Sequence, residues 1–504
     1  MSFQTPLTGS QLPVEIAPGG YTLEAPDLAG SVTTMSAGES ATRSGGGRYE
    51  DRLLEAMSYV EVQSQNVFEV EVVSDLAQPA GPNRGGLAAS TREGEPAIRL
   101  RVPALGNRVD QAVLYTDEAG VSSWIFPQQA SGPTITARGG AGEIVFHLPR
   151  KSAPIPPETD ERASRGQISK LGRRLVRVLA WATDDIVGQG ALAVATRWET
   201  SNRPYAFRGI PLTDPKTVVD WNVMTQGRAL FLIHGTFSSA GSAFGELSQA
   251  TIERLSQIYG GRVFAFDHPS LYPSPEENAQ KFLDMLPQDV ELDLDIITHS
   301  RGGLVGREFT ERLADLHTAG RQIRIRKAIL VAAPNLGTIL TDGDHGIDML
   351  DRYTNLLTSL PDNAYTLTME GVLTVVKLVL HGALHSLPGL RCMYPKGDYL
   401  KRLNASQPTQ TEYYVIASDF TPTSEALLTG LFKRAANKLV DGIFGEENDG
   451  IVPTRGSYES EQSTPGFPVH DTHRVVFGKD DQVHHCNYFG QERTSRQILE
   501  WVAG

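Results

Sequence analysis

The fold of this chain is decided by the stretch Leu294-Asp295-Ile296-Ile297-Thr298-His299-Ser300-Arg301-Gly302-Gly303-Leu304-Val305-Gly306. An apolar run that is typical of a buried β-strand stops abruptly at Ser300. Two glycines follow, and apolar residues then recur at helical spacing from Leu304 to Leu316. The pattern predicts a strand, a sharp turn with Ser300 at its apex, and a helix. The N-terminus of that helix points at the serine, where its free amides favour negative charge.

The turn matches the pentapeptide Gly-x-Ser-x-Gly, in which a strained backbone holds a nucleophilic serine above the edge of a sheet. Gly302 occupies the last position of this motif and lets the helix pass close to the strand. Thr298 departs from the motif, because a β-branched residue stands where the first glycine is usual and crowds the turn. On this stretch alone, a buried serine at a strand end is the alternative interpretation.

Length and composition predict a large globular protein. The chain has 504 residues, of which 40% are hydrophobic and 21% are charged, so one to three domains are expected. The net charge of −13 argues against nucleic-acid binding, which needs a basic surface. Cys392 and Cys486 are the only cysteines, so no disulfide framework is expected. No signal peptide or transmembrane segment is recognisable, and we therefore expect a cytoplasmic protein.

The first 204 residues differ in pattern from the rest of the chain. Residues 1–47 are rich in Gly and Ser and predict a flexible tail. Residues 48–150 contain period-2 apolar runs between Gly- and Pro-containing turns, which predict a small β-rich, sandwich-like domain. Residues 151–204 begin with a Pro-rich linker, and we expect an amphipathic helix over 168–181 and a strand over 191–197 to follow it.

From residue 205 to residue 504, strand and helix patterns alternate. The predicted strands cover 229–233, 262–266, 293–297, 327–332, 413–417 and 474–477. Several of these runs are continuously apolar, as in parallel strands that are covered on both faces. Residues 205–504 therefore predict a doubly wound α/β domain with a mostly parallel sheet. The active site of such a domain lies beyond the C-terminal ends of its strands.

A serine hydroxyl needs a base that takes its proton, an acid that orients the base, and donors that hold the oxyanion. The strand that ends at Ile233 runs directly into His234-Gly235-Thr236. We expect the backbone amides of Thr236 and Arg301 to be the oxyanion donors. An ordinary glycine turn is the alternative interpretation of this segment.

The acid and the base are expected in two loops near the C-terminus. Asp449 stands before a glycine in a turn that leads into an apolar pair. The alternatives are that Asp449 only caps this turn, or that Glu446 or Glu447 is the acid. His484 and His485 follow the last predicted strand, and adjacent histidines on a loop cannot both face the serine.

Residues 205–504 resemble the lipase and esterase branch of the α/β-hydrolase superfamily, whose chain order is serine, acid, histidine. The matching segments are 234–236, 298–302, 333–338, 448–453 and 485–489. In this branch the histidine usually precedes a small residue, which favours His485 over His484. The resemblance implies a catalytic triad of Ser300, Asp449 and His485. The residues that would support the motifs are His234, Gly235, His299 and Gly302.

The resemblance implies a serine hydrolase that cleaves carboxylic esters, as an esterase or lipase, through an acyl-enzyme. A small-molecule or lipid-like ester is the expected substrate, and neither a cofactor nor a metal is required. The same machinery serves amidases, peptidases, thioesterases and acyltransferases. A non-catalytic adaptor and a peripheral membrane lipid hydrolase are further alternatives, and no oligomeric state is predicted.

An insertion at 338–411 predicts a cap, or lid, with its own helices. Within 366–387 the polar residues form a narrow stripe on an otherwise apolar helix, which suits a cover over an acyl or alkyl pocket. A plain packing helix is the alternative. The insertion opens with an acidic cluster that matches no metal motif and is expected to be an exposed loop: Asp342, Asp344, His345 and Asp348.

Overall fold

The structure is a computed structural model that describes residues 3–35, 47–76, 98–117, 121–127, 142–150, 173–183, 190–214, 216–357, 362–380, 386–406, 410–421, 443–460 and 467–504. The chain divides into two compact units. The first consists of Met1–Gly188 and Ser424–Lys438, and the second of Gln189–Thr423 and Leu439–Gly504. The second unit thus begins earlier than the predicted domain boundary at residue 205.

The first unit is built from two antiparallel sheets. Its elements are β1 (Phe3–Thr8), β2 (Val14–Ala17), β3 (Tyr21–Glu24), β4 (Leu28–Met35), α1 (Gly47–Tyr59), β5 (Gln63–Asp75), β6 (Ile98–Pro103), β7 (Val109–Thr116), β8 (Ser122–Ile125), β9 (Glu143–Leu148) and β10 (Arg173–Ala182). One sheet has the order β1-β4-β5-β10-β7-β8 and the other β2-β3-β6-β9. Alternate side chains of both sheets, such as Phe68 and Phe146, share one apolar core.

The predicted flexible tail over 1–47 is wrong for residues 3–35, which form β1 to β4. β1 pairs with β4, and β4 pairs in turn with β5. Pairing satisfies backbone hydrogen bonds whatever the side chains are, so a Gly- and Ser-rich segment can join a sheet. Leu28 and Val32 on β4 are buried and anchor this segment. Residues 36–46 of the predicted tail lie outside the described residues.

Two further elements differ from the prediction. The segment expected as a helix over 168–181 is strand β10 from Arg173 onward, between β5 and β7; residues 168–172 lie outside the described residues. The apolar residues of this segment fit both the helical and the strand period. Pairing with β5 and β7 makes the segment a strand. The segment expected as a strand over 191–197 is part of helix α2, Gly190–Asn202. Three alanines in this stretch favour the helix intrinsically.

The second unit contains one mixed sheet that is mostly parallel. Its strands are β11 (Ala206–Arg208), β12 (Ala229–Ile233), β13 (Val263–Asp267), β14 (Glu291–His299), β15 (Gln322–Val331), β16 (Glu412–Ser418) and β17 (Arg474–Phe477). They lie in the order β11-β13-β12-β14-β15-β16-β17. Only β11 pairs antiparallel among these described strands. The six predicted strands correspond to β12 through β17, and the short edge strand β11 was not predicted.

Helices cover both faces of this sheet. After α2 they are α3 (Trp221–Met224), α4 (Ala240–Phe244), α5 (Gln249–Ile258), α6 (Pro275–Met285), α7 (Gly302–Glu311), α8 (Gly346–Leu357), α9 (Asp362–Leu380), α10 (Pro388–Arg391), α11 (Asp398–Asn404) and α12 (Glu492–Ala503). Neighbouring residues of one strand enter opposite cores: Phe231 packs on one side, and Leu232 on the other. Burial on both faces explains why these strands are continuously apolar.

The predicted cap region lies between β15 and β16 and contains helices α8 to α11. α8 packs against α9, and α9 also packs against α4 of the sheet domain. Residues 358–361, 381–385 and 407–409 of this region lie outside the described residues. Two members of the predicted polar stripe, His381 and His385, are among them.

Candidate active site

Ser300 lies in the sharp turn between β14 and α7. Its φ of 54° is in the left-handed region, and its amide donates a hydrogen bond to the carbonyl of Val331 at 2.8 Å. A Cβ atom at Gly302 would lie 2.4 Å from the carbonyl oxygen of His234 and 2.5 Å from that of Ile233. Only glycine therefore fits at this position, because both obstacles are backbone atoms.

Thr298, the departure from the motif, is accommodated by α7. A Cβ atom at Gly306 would lie 3.0 Å from Cγ2 of Thr298, so the glycine at this position leaves room for a β-branched residue in the turn. The close neighbour of Gly303 is a different residue, since a Cβ atom there would lie 2.4 Å from Cβ of Ala333.

The structure brings Ser300, His485 and Asp449 together at the ends of their strands. Nε2 of His485 lies 2.9 Å from Oγ of Ser300, and Nδ1 lies 2.8 Å from Oδ2 of Asp449. All three side chains are buried, and Ser300 is only 2% exposed. When Nδ1–H donates to the carboxylate, Nε2 is left as the acceptor for the serine proton.

The carboxylate of Asp449 is held by three donors besides His485. Oδ1 accepts from the amides of Ile451 at 3.0 Å and Val452 at 2.8 Å, and Oδ2 accepts from the Tyr488 hydroxyl at 3.1 Å. Burial by itself would raise the pKa of Asp449, but His485 and the two amides outweigh it, and the pKa lies below its usual value. The residue is therefore poised to remain ionised. Tyr488 lies in the matching segment 485–489, but its hydrogen bond to the carboxylate was not predicted.

His484 does not share the position of His485. Its Nδ1 accepts from the amide of Cys486 at 3.2 Å, and its ring packs on Phe420. Burial lowers the pKa of His484 to about 3, so this side chain is neutral in the folded protein. The alternative acids also lie apart from the site, since Glu446 and Glu447 are exposed.

We expect the variant His484→Asn to change the acid sensitivity of folding. A buried neutral histidine takes up a proton when the chain unfolds at any pH between the folded pKa, about 3, and the unfolded value, about 6.5. Wild-type stability therefore falls as the pH decreases through this window. In the variant, proton uptake on unfolding near pH 5 should be smaller by about one proton.

Urea unfolding at a series of pH values measures this uptake from the slope of stability against pH. The exposed residue His317 provides a matched control as His317→Asn. An unchanged slope in His484→Asn would contradict the expectation.

The segment His234-Gly235-Thr236 lies directly against the serine. A Cβ atom at Gly235 would lie 2.6 Å from Cβ of Ser300. Among the described residues, the amides of Thr236 and Arg301 have no hydrogen-bond acceptor, and the buried hydroxyl of Thr236 also has no partner. These groups are thus free to bind an anion beside the serine. The structure brings both predicted donor residues to the site.

Two predicted supporting histidines hold the neighbouring backbone. Nε2 of His234 accepts from the amide of His268 at 3.1 Å, and the two rings stack at 4.1 Å. Nε2 of His299 lies 2.9 Å from the carbonyl oxygen of His485, to which it donates. Burial lowers the pKa of His234 to about 4 and that of His299 to about 3. Both are neutral, which suits structural hydrogen bonding.

Tyr353 of α8 covers the site. Its ring meets that of His485 edge-on at 6.1 Å and that of Phe237 at 5.1 Å, and its hydroxyl group interacts with the side chain of Ser300. In the sequence this residue is only one of the residues of the predicted cap insertion at 338–411. The local pattern did not show that this part of the insertion faces the serine.

Neither a metal centre nor a membrane-spanning helix is found among the described residues. In the predicted acidic cluster, Nδ1 of His345 lies 3.0 Å from a carboxylate oxygen of Asp348, within hydrogen-bond distance, and the members of the cluster do not form a group that could hold a metal ion. The helices of the described ranges are too short or too polar to cross a bilayer.

Comparison with known proteins places the chain in a family. The model of a domain of unknown function, DUF7379, matches residues 198–503, and the chain belongs to this family. No curated protein matches the chain.

Solved structures similar to part of the chain include three bacterial enzymes. Lipase BlEst2 from Bacillus licheniformis is 14% identical over 59% of this chain and 97% of its own, with a TM-score of 0.31. Lipase 1 from Pelosinus fermentans is 13% identical over 55% and 97%, with a TM-score of 0.36. Phospholipase PlaB from Legionella pneumophila is 15% identical over 46% and 45%, with a TM-score of 0.27.

Proposed function

We propose that the second unit is a serine hydrolase of the α/β-hydrolase kind that cleaves carboxylic esters. The observation that carries the proposal is the hydrogen-bonded chain from Ser300 through His485 to Asp449. It stands beyond the strand ends of a mostly parallel sheet, on a strained strand-to-helix turn. Nucleophile, base and orienting acid are in contact, as acyl transfer requires.

In the first half of the reaction, Nε2 of His485 takes the proton of Ser300 while Oγ attacks the ester carbonyl carbon. The amides of Thr236 and Arg301, with the Thr236 hydroxyl, hold the oxyanion that forms. The carboxylate of Asp449 stabilises the resulting imidazolium. His485 then gives the proton to the leaving alkoxide, which departs as the alcohol and leaves an acyl-enzyme.

In the second half, His485 takes a proton from water, and the hydroxide formed attacks the acyl carbon. The same donors hold the second oxyanion. Its collapse expels Oγ of Ser300, which recovers its proton from His485, and the carboxylic acid is released. All proton transfers use groups of this chain, so the cycle is closed.

The test is a panel of matched p-nitrophenyl esters of increasing chain length, amides and thioesters, together with a fluorophosphonate probe. We expect ester turnover and a probe adduct that mass spectrometry maps to Ser300. Turnover confined to amides or thioesters would replace the ester assignment. Failure of both the fluorophosphonate and a small sulfonyl fluoride to react would overturn the proposed hydrolase and favour the adaptor.

The cap is proposed to control access to Ser300, because Tyr353 covers a serine that is only 2% exposed. Tyr353→Ala should therefore raise the labelling rate of a bulky fluorophosphonate relative to that of a small sulfonyl fluoride. Truncating a buried aromatic side chain should also cost about 3 to 5 kcal/mol of stability. Labelling reactions quenched at a series of times measure the two labelling rates, and thermal unfolding measures the loss of stability.

Tyr399→Ala is the matched control, since Tyr399 is a buried tyrosine of α11 whose hydroxyl bonds to Glu308. It should lose stability without changing the ratio of the two labelling rates. An equal change of the ratio in both variants would contradict a specific cover at Tyr353.

A further inference from the structure

A second buried carboxylate lies near the site but outside the chain of three residues. Glu199 of α2 is 1% exposed. Its Oε1 accepts from the amide of Ser270 at 2.6 Å and from the hydroxyl of Ser270 at 3.2 Å. Its Oε2 accepts from the amides of Leu271 at 2.8 Å and Tyr272 at 3.1 Å. All four partners donate, which is the arrangement that suits an ionised carboxylate.

Burying this carboxylate is costly. Burial raises the pKa of Glu199, while the three amides and the guanidinium of Arg301 act in the opposite direction. An isolated ionised carboxylate in a protein interior is strongly unfavourable unless it is paired and hydrogen-bonded. A buried apolar residue would cover the same surface without that cost, so the position of the carboxylate suggests a role in ordering the loop it binds.

The loop 270–273 that Glu199 holds is bonded to the two segments that carry the proposed oxyanion donors. On one side, Oγ of Ser270 accepts at 3.1 Å from the amide of Phe237, the residue after Thr236. Phe237 has a φ of 58°, a left-handed conformation that persists only where the surroundings hold it. The serine hydroxyl thus links the carboxylate to the strained backbone next to the first donor.

On the other side, the loop is bonded to Arg301, whose amide is the second proposed donor. The buried guanidinium donates to the carbonyl of Pro273 and, through Nε, to the carbonyl of Gly389 at 2.7 Å. The amide of Gly389 in turn donates to the carbonyl of Leu271 at 2.9 Å. One loop therefore braces the segments that carry both donors.

We propose that Glu199 is a positioning residue that fixes the geometry of the oxyanion hole through the loop 270–273. The inference rests on the proposed function, which supplies the oxyanion. Oxyanion donors must be held to within about 0.5 Å of the productive geometry. Loss of one donor costs about 10²- to 10³-fold in turnover. Loosening the brace without removing a donor should cost less than that.

The test uses Glu199→Gln and Ser270→Ala in the full-length protein. Each carboxylate oxygen of Glu199 accepts from two donors. Glutamine replaces one of these oxygens by an NH₂ group, which cannot accept from them. We expect kcat for the best ester to fall about tenfold or more, below the cost of a lost donor, with KM nearly unchanged. The affinity for a matched trifluoromethyl ketone, which forms an oxyanion on Ser300, should fall by the same factor as kcat/KM. The pH dependence of kcat/KM should keep its shape.

Ser270→Ala removes the link to Phe237 while the three backbone amides of the loop keep their carboxylate acceptor. This variant should likewise lower kcat and leave KM nearly unchanged. The fold-loss of kcat in the double variant should be smaller than the product of the two single fold-losses, since both substitutions act through the same contacts. The matched control is Glu308→Gln, another buried carboxylate, which contacts Tyr399 and Arg312. It should keep the affinity for the ketone.

Wild-type ketone affinity in both Glu199→Gln and Ser270→Ala would overturn this inference alone, provided that Ser300-dependent turnover is present. The inference would also be overturned if the loss of turnover in each variant merely equalled the fraction of that variant that is unfolded. If Glu199→Gln fails to fold, the ketone affinity of Ser270→Ala alone tests the inference. A wild-type protein without Ser300-dependent turnover would overturn the proposed function, and this inference with it.

Discussion

Replacing Ser300 by alanine should lower ester turnover by on the order of 10⁶-fold, with only a small change in stability. The substitution removes the atom that we propose attacks the substrate, so that His485 would have no proton to take. The residual rate over water would come from the oxyanion donors and from binding. Steady-state hydrolysis of the best p-nitrophenyl ester, with the enzyme at high concentration, measures the remaining activity.

Two controls accompany this measurement. Ser256→Ala removes a partly exposed serine of α5 far along the chain from the turn and should leave turnover unchanged. Thermal unfolding of Ser300→Ala should show a folded protein, since alanine fits the space of the serine side chain. A folded Ser300→Ala protein with wild-type turnover would contradict the assignment of the nucleophile.

Replacing Asp449 by asparagine should lower kcat by about 10⁴-fold. Oδ1 of Asp449 accepts from two backbone amides, so the asparagine oxygen would keep that place. Its NH₂ group would then face Nδ1 of His485, where a carboxylate oxygen now accepts at 2.8 Å. That contact forces the proton onto Nε2, and the imidazole can no longer accept the proton of Ser300.

We also expect Asp449→Asn to change how the stability of the protein depends on pH. The folded pKa of Asp449 lies below its usual value, so ionised Asp449 stabilises the fold above about pH 4, and this contribution is lost as the pH falls through the folded pKa. Asp449→Asn should therefore be less stable than wild type at neutral pH, with a gap that closes in acid. Asp419→Asn, a half-buried aspartate paired with Lys479, is the matched control. Unchanged kcat in Asp449→Asn would point to a different acid.

Much of the second unit could be predicted because its signals are local. Continuous apolar runs gave the six strands β12 to β17, since burial on both faces leaves no room for polar residues. The turn at Ser300 was recognisable because it requires a glycine at position 302, where a Cβ atom would lie only 2.4 to 2.5 Å from backbone oxygens. The segments around His234 and His485 were found because each follows a predicted strand, and Asp449 was found because it stands before a glycine in a turn.

Other features could not be predicted, because local pattern does not distinguish the competing structures. The residues of β10 suit a helix as well as a strand, and its place between β5 and β7 decides the outcome. The polar segment at 3–35 resembles a linker in composition, yet pairing with β5 builds it into a sheet. Glu199 lies on α2, of which residues 191–197 were predicted as a strand, and its contacts with the loop 270–273 could not be foreseen.

The sequence by itself determined the strand-turn-helix at Ser300, the parallel order of strand and helix that follows, and the short list of residues able to do the chemistry. Only the tertiary structure decided which of them meet. His485 contacts a serine 185 positions earlier in the chain, and Glu199 holds a loop 71 positions later. Such contacts depend on how the sheet orders its strands and on how the helices pack against it. Sequence periodicity depends only on residues that are close along the chain, and therefore does not predict contacts between distant segments.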